Sequence, residues 1–208
     1  MYKTPMDRAQ TKKRAVIFST VYYPFASGAE IAVKEITDRL PEYDWHLITA
    51  QIDPTLPRQE EIGRVVVHRV GIGSRTGDKF LLPITGFLKA RALLAGQPVA
   101  LLWSMMASQS SVAAAFVKMW YPQTRLVLTL QEGDEEEYLM RYVGGNRFLY
   151  SLFVRPWHRL VFRKADCITA LSEHLARRAR MNNPCVPVFV IPNGVDFSVF
   201  KKVQPTQS

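Results

Sequence analysis

The chain has 208 residues, 48% of them hydrophobic and 22% charged, which excludes a disordered or fibrous protein. Its net charge of +9 predicts an anionic partner, but nucleic acid is disfavoured because the chain has no zinc finger, aromatic ribonucleoprotein motif or arginine-rich arm. The two cysteines, Cys167 and Cys185, cannot form a disulfide framework, and no apolar tract predicts a signal peptide or a membrane span, so we expect a cytoplasmic protein.

The first 120 residues alternate between apolar runs typical of buried strands and segments with helical spacing. Residues 71–79, which contain glycines, predict a mobile loop. We expect strands at 15–19, 45–49, 65–70 and 99–103, and helices at 29–40, 85–95 and 108–120.

The rest of the chain continues the alternation. An acidic and then glycine-rich connection is expected at 133–145, and the helix after it should be kinked or offset at Pro156. Strands are predicted at 126–130, 167–171 and 186–191, and helices at 147–165 and 172–180.

This alternation predicts an α/β fold with a doubly wound, parallel, Rossmann-like sheet in a single domain over residues 14–196. Residues 1–13 are expected to form a flexible basic N-terminus. Ligands of such sheets bind beyond the carboxyl ends of the strands.

Ser27 and Gly28 open the first predicted helix after the first strand. Ser27 and Glu30 have the spacing of a capping box, and Gly28 would let a ligand approach the backbone. The amides and the dipole of a helix start favour a phosphate. The same residues are also typical of a well-capped helix that binds nothing.

Gln131 and Glu132 are the first polar residues after the strand at 126–130, so they should face the crevice. The carboxylates that follow, at 134–137, could bind a metal or orient sugar hydroxyls, but such a run is more typical of a solvated loop or an acidic first turn. The four histidines have no spacing typical of metal ligands, and no Ser/His/Asp hydrolase motif is present.

Basic and aromatic residues interleave from Arg147 to Lys164, as in helices that lie in a membrane interface. A core helix with a solvated basic face explains the pattern equally well. The membrane-facing candidates are Arg147, Arg155, Arg159 and Arg163.

Four stretches resemble the N-terminal domain of a family 4 glycosyltransferase with the GT-B fold. They are Tyr23–Glu30, Leu128–Gly133, Ala170–Glu173 and Ile191–Asp196. Their order and separations agree with that family from Arg14 to Asp196.

The resemblance implies an active site in a cleft between two Rossmann-like domains. Ser27 and Gly28 would lie against the phosphates of the sugar nucleotide, and Gln131, with Glu132, would face the acceptor and the transferred sugar. Gln131 is the candidate catalytic position, although many relatives have histidine there and an amide cannot act as a base near neutral pH. Ser172 and Asn193 are further candidates for substrate binding.

In the family a second, C-terminal domain holds the nucleotide, and residues 197–208 look like a truncated linker to it. The resemblance therefore implies the acceptor-side half of a retaining transferase that takes its sugar from a nucleotide-sugar, needs no metal, and is inert without its donor-binding half. That half would be a missing domain or a separate subunit. The acceptor would be a lipid-linked or envelope intermediate, reached at the inner face of the membrane. The alternatives are a subunit of a split transferase and a non-catalytic Rossmann-like scaffold.

Overall fold

A computed structural model of the chain describes residues 12–131, 148 and 155–195. The predictions for Glu132, for Arg147 and for the segments 1–11 and 196–208 lie outside the described residues. The strands are β1 Lys13–Phe18, β2 Tyr43–Ala50, β3 Gln59–Ile62, β4 Val65–Val70, β5 Val99–Met105, β6 Arg125–Leu130, β7 Cys167–Ala170 and β8 Val188–Val190. The helices are α1 Gly28–Arg39, α2 Gly77–Gly96, α3 Gln109–Trp120, α4 Arg155–Lys164 and α5 Glu173–Asn182.

All eight strands form one sheet, in the order β3-β4-β2-β1-β5-β6-β7-β8. Among the strands in the described ranges seven are parallel, and only β3 is antiparallel to its neighbour β4. The chain winds outward from β1 to β4, returns through α2 to β5 on the other side of β1, and winds outward again. The doubly wound α/β fold that the sequence predicts is therefore confirmed.

The helices cover the two faces of the sheet unequally in the part of the chain that the structure describes. Helix α1 packs on the face that carries Ala15 and Ile17 of β1. Helices α2 and α3 pack on the opposite face, against Val16 and Phe18. Helices α4 and α5 continue that second layer over β6 and β7.

Helix α2 begins at Gly77, eight residues earlier than the sequence predicts, so the predicted loop at 71–79 is wrong at its end. The reason is Asp78, whose buried carboxylate accepts hydrogen bonds from the backbone N–H groups of Ile72, Gly73 and Ser74 at 2.7–3.0 Å. These bonds fix the entry to the helix. Pro83 therefore lies inside the helix rather than before it.

Strand β3 is absent from the sequence prediction, because its polar sequence Gln-Glu-Glu-Ile lacks an apolar run. It is held by antiparallel pairing with β4, from Gln59 opposite His68 to Ile62 opposite Val65. The last strand is also shorter than predicted. It covers Val188–Val190 rather than 186–191.

Candidate functional site

The carboxyl ends of the parallel strands meet at one edge of the sheet, which we call the carboxyl edge. At this edge the chain leaves β1 toward β2 and leaves the adjacent strand β5 toward β6, in opposite directions. In doubly wound sheets a crevice opens at such a switch point, and it is where ligands bind. Helices α1, α2, α3 and α5 each follow a strand that ends here, so their N-termini border the same edge.

The loop between β1 and α1, which we call the wall loop, borders the carboxyl edge and is held by Arg69 of β4. The Arg69 side chain is 2% exposed and pairs with Glu60 of β3. Its guanidinium donates hydrogen bonds to the carbonyl oxygens of Tyr23, at 2.7 Å, and of Pro57, at 2.9 Å. A buried cation in the sheet therefore fixes the backbone of the loop.

Ser27 and Gly28 are both exposed at the start of α1. The Glu30 carboxylate accepts a hydrogen bond from the Ser27 backbone N–H at 2.7 Å and one from the Ser27 hydroxyl at 2.5 Å. A Cβ placed on Gly28 would meet no atom within 4 Å. The structure therefore leaves open space beside the first turn of α1, where backbone N–H groups have no acceptor within the helix.

Three hydroxyl groups meet at the switch point, and we call them the hydroxyl cluster: Thr20 after β1, and Ser108 and Ser110 at the start of α3. The Thr20 oxygen lies 2.9 Å from that of Ser108 and 3.4 Å from that of Ser110, and the two serine oxygens are 3.0 Å apart. Sequence reasoning missed this cluster because its members are up to 90 residues apart. Ser110 is 0% exposed, so only Thr20 and Ser108, which are partly exposed, are open to a ligand, and their hydroxyl groups both donate and accept.

Met106, the residue after β5, has a φ of +63°. A non-glycine side chain rarely adopts this backbone conformation. Two hydrogen bonds hold it there: the Met106 N–H donates to the Thr129 carbonyl at 2.8 Å, and its carbonyl accepts from the Ser111 hydroxyl. The turn that delivers Ser108 to the hydroxyl cluster is therefore fixed on both sides.

The candidates Gln131, Ser172 and Asn193 follow three neighbouring strands, β6, β7 and β8. Neighbouring strands lie roughly 4.8 Å apart, so these positions form a row on one side of the switch point. Gln131 is 6% exposed, whereas Ser172 and Asn193 are exposed. The Ser172 hydroxyl accepts the Leu175 N–H at 3.4 Å and thereby caps α5.

The candidates Arg155, Arg159 and Arg163 lie on α4 rather than at the carboxyl edge. Together with Pro156 and Leu160 they line a groove of about 370 Å³. All three arginines are exposed, and Trp157 of the same helix is 47% exposed.

Tyr22 lies in the wall loop and is 2% exposed. Burial raises the pKa of its hydroxyl, and the nearby Tyr23, Asp38 and Glu30 raise it further. Tyr22 is therefore neutral and packs as an apolar ring against Tyr23, with centroids 5.1 Å apart.

Two absences concern only the part of the chain that the structure describes. Among these residues no three side chains of the types that ligate metals come together. No helix in the same ranges is long and apolar enough to cross a bilayer.

The comparison with protein families identifies the domain to which this carboxyl edge belongs. The family model described as "Glycosyl transferase 4-like domain" matches residues 27–194, from Ser27 of the wall loop to Gly194 beyond β8. The chain belongs to the glycosyl transferase 4-like domain family. No curated protein sequence matches this glycosyl transferase 4-like domain.

Solved structures similar to the glycosyl transferase 4-like domain show the same fold at low identity. Sucrose-phosphate synthase from Thermosynechococcus elongatus has 16% identity and a TM-score of 0.66, over 93% of this chain and 51% of that one. UDP-glucose:anthocyanidin 3-O-glucosyltransferase in complex with UDP has 12% identity and a TM-score of 0.54, over 95% and 56%. The E. coli trehalose-6-phosphate structure bound with UDP-2-fluoro glucose has 12% identity and a TM-score of 0.52, over 90% and 50%.

The chain thus spans about half the length of these three structures. Its fold is that of one half of a GT-B glycosyltransferase, as the sequence resemblance predicts.

Proposed function

We propose that the chain is the acceptor-side half of a retaining glycosyltransferase. The enzyme transfers a sugar from a nucleotide-sugar to a lipid-linked or envelope acceptor, and the chain is inert without its donor-binding half. The observation that carries this proposal is the family match over 27–194, which includes the exposed start of α1 and all of the carboxyl edge from β5 to β8. The UDP and UDP-2-fluoro glucose bound to two of the similar structures support a nucleotide-sugar donor.

In this proposal the start of α1 contacts the diphosphate of the donor. The Glu30 carboxylate occupies the Ser27 N–H, so the phosphates approach from the open side of Gly28 and accept from the first-turn amides. The charge that develops on the leaving diphosphate is neutralised mainly by cations of the other half. Loss of one such stabilising group commonly slows a reaction by ~10²-fold, which is why this half alone is inert.

The acceptor lies over the row of Gln131, Ser172 and Asn193 and over the hydroxyl cluster. An amide and several hydroxyl groups bind sugar hydroxyls by donating and accepting hydrogen bonds. Gln131 positions the acceptor or the transferred sugar and does not act as a base, since an amide does not titrate near neutral pH. The α4 arginines face the anionic surface of the membrane that carries the acceptor.

The proposal is tested by Gly28→Val, assayed with both halves of the enzyme present. Nucleoside diphosphate release from a set of nucleotide-sugars should fall about 100-fold, because the valine displaces the diphosphate. The matched control is Gly96→Val at the end of α2, where an added Cβ also meets no atom within 4 Å. If Gly28→Val keeps full activity while remaining folded, the transferase proposal is wrong and the scaffold alternative is favoured.

The location of the donor-binding half is tested by an immunoblot of the source cells with an antibody against this chain. A band of about 40 kDa or more, the size of two such domains, places both halves on one polypeptide. A band at 23.7 kDa places the donor-binding half on a separate subunit of a split enzyme.

A further inference from the structure

Helix α2 is apolar on both of its faces. Leu82, Gly86 and Ala90 are buried against the sheet and α3. On the opposite face Phe80, Ile84 and Leu88 are 53%, 60% and 54% exposed, at a spacing of four residues. A helix on the surface of a globular protein normally turns a polar face to water, so this outer stripe fits an apolar surrounding.

The stripe continues onto α3 through aromatic contacts. Phe87 of α2 lies 6.1 Å from Trp120 of α3, centroid to centroid, and Arg91 stacks over both rings. Trp120 and the adjacent Met119 are 62% and 53% exposed. We call the exposed residues Phe80, Ile84, Leu88, Met119 and Trp120 the α2–α3 surface.

The two helices that carry the α2–α3 surface are mainly basic: Lys79, Lys89, Arg91 and Lys118 outnumber the one carboxylate, Asp78. Residues 79–131 contain no Asp or Glu but five Lys or Arg. Lys118 forms an ion pair with Asp166. The Asp78 carboxylate, just before this stretch, is buried and accepts three backbone N–H hydrogen bonds. The surface is therefore apolar with a cationic border.

We propose that the α2–α3 surface docks on an anionic lipid bilayer, with its apolar side chains in the headgroup region. Apolar burial combined with the attraction of Lys and Arg to anionic lipids is the basis of interfacial membrane binding. Tryptophan is enriched at that depth, and Trp120 is part of the surface. A second copy of the chain fits poorly, because two such surfaces would bring like charges together.

This docking goes beyond the proposed transfer reaction, and it is measured without donor or acceptor. It is also distinct from the α4 arginines, because the α2–α3 surface lies on α2 and α3. The two surfaces can be mutated separately, so a negative result for one proposal does not contradict the other.

The test is co-sedimentation of the chain with vesicles of phosphatidylcholine that contain phosphatidylglycerol. We expect binding that rises with phosphatidylglycerol and falls with salt, and at least about tenfold weaker binding for the combined variant Phe80→Ser, Ile84→Ser and Leu88→Ser. The matched control is Ile31→Ser with Ile36→Ser, exposed residues of α1 on the opposite face of the sheet, which should bind like the parent. The urea midpoint of each variant is measured beside its binding, so that a loss of folding is not mistaken for a loss of docking.

A second measurement uses the Trp157→Phe variant. In this variant Trp120 is the exposed tryptophan, and the other two, Trp45 and Trp103, are buried. Brominated anionic vesicles should quench its fluorescence. No vesicle binding, equal binding by the stripe and control variants, or no quenching would each overturn the proposal. If Arg155→Gln, Arg159→Gln and Arg163→Gln abolish binding and the stripe variant does not, α4 is the docking surface instead.

Discussion

Arg69 is the residue that connects the far edge of the sheet to the candidate site. It lies in β4, yet it hydrogen-bonds the carbonyl of Tyr23 in the loop that follows β1. The sequence shows only an arginine in an apolar strand, and nothing near it indicates a partner 46 residues away. The hydroxyl cluster was hidden in the same way, whereas Ser27, Gly28 and Gln131 could be proposed because each directly follows a recognisable strand or opens a helix.

We expect Arg69→Met to lower the free energy of unfolding by about 2–4 kcal/mol. The substitution removes the cation beside Glu60 and leaves the carbonyls of Tyr23 and Pro57 without their donor. Urea denaturation followed by tryptophan fluorescence measures the change. Arg125→Met at the exposed start of β6 is the control and should change stability by less than about 0.5 kcal/mol. Equal values for the two variants would mean that Arg69 contributes no more than a surface arginine.

At the scale of elements, the strands were predictable and their exceptions have physical causes. Apolar runs identify the buried parallel strands, because both of their faces are covered. Strand β3 escaped prediction because pairing with β4, and not apolar burial, holds it in the sheet. The start of α2 escaped because the three hydrogen bonds to Asp78 outweigh the tendency of Pro83 to begin a helix rather than lie within one.

The contact between α2 and α3 makes an element-scale prediction. A Cβ placed on Gly86 would lie 3.1 Å from the Ala113 Cβ and 3.6 Å from the Ile48 Cγ2, so this glycine lets the helices approach closely. We expect Gly86→Val to lower the free energy of unfolding by about 1–3 kcal/mol through overpacking, despite the better helix propensity of valine. Urea denaturation checks this. Gly96→Val, in open space at the end of the same helix, should not destabilise, and an equal loss there would refute the packing argument.

At the scale of the whole molecule, buried histidines make stability depend on pH. His46 Nδ1 lies 2.9 Å from His68 Nε2, and His46 Nε2 lies 3.2 Å from a carboxylate oxygen of Asp44. Burial lowers the pKa of His68 to about 4, and the charges of Lys89, His46 and Arg14 add to the effect. Burial also lowers the pKa of His46, although Asp44 opposes the shift.

Between pH 6.5 and 4 the unfolded chain binds a proton at His68 that the folded chain excludes. The free energy of unfolding should therefore decrease as the pH is lowered from 6.5 to 4, by on the order of 2–3 kcal/mol. Above pH 7 His68 should not contribute to the pH dependence. Urea midpoints measured across this range test it. His68→Leu should flatten the curve. A His68→Leu curve as steep as the parent's would assign the loss to other groups.

One end of the sheet has a consequence for the behaviour of the protein at high concentration. Strand β3 stands first in the sheet order, so one side of its backbone has no strand partner among the described residues. Unpaired edges recruit strands from other molecules and start aggregation, and charged side chains are a common defence. Glu60 is paired with Arg69, so Glu61 is the carboxylate of this four-residue strand that would repel the same strand of another copy. Replacing Glu61 with an apolar residue would remove this repulsion, and the edge of the sheet could then recruit strands into fibrils.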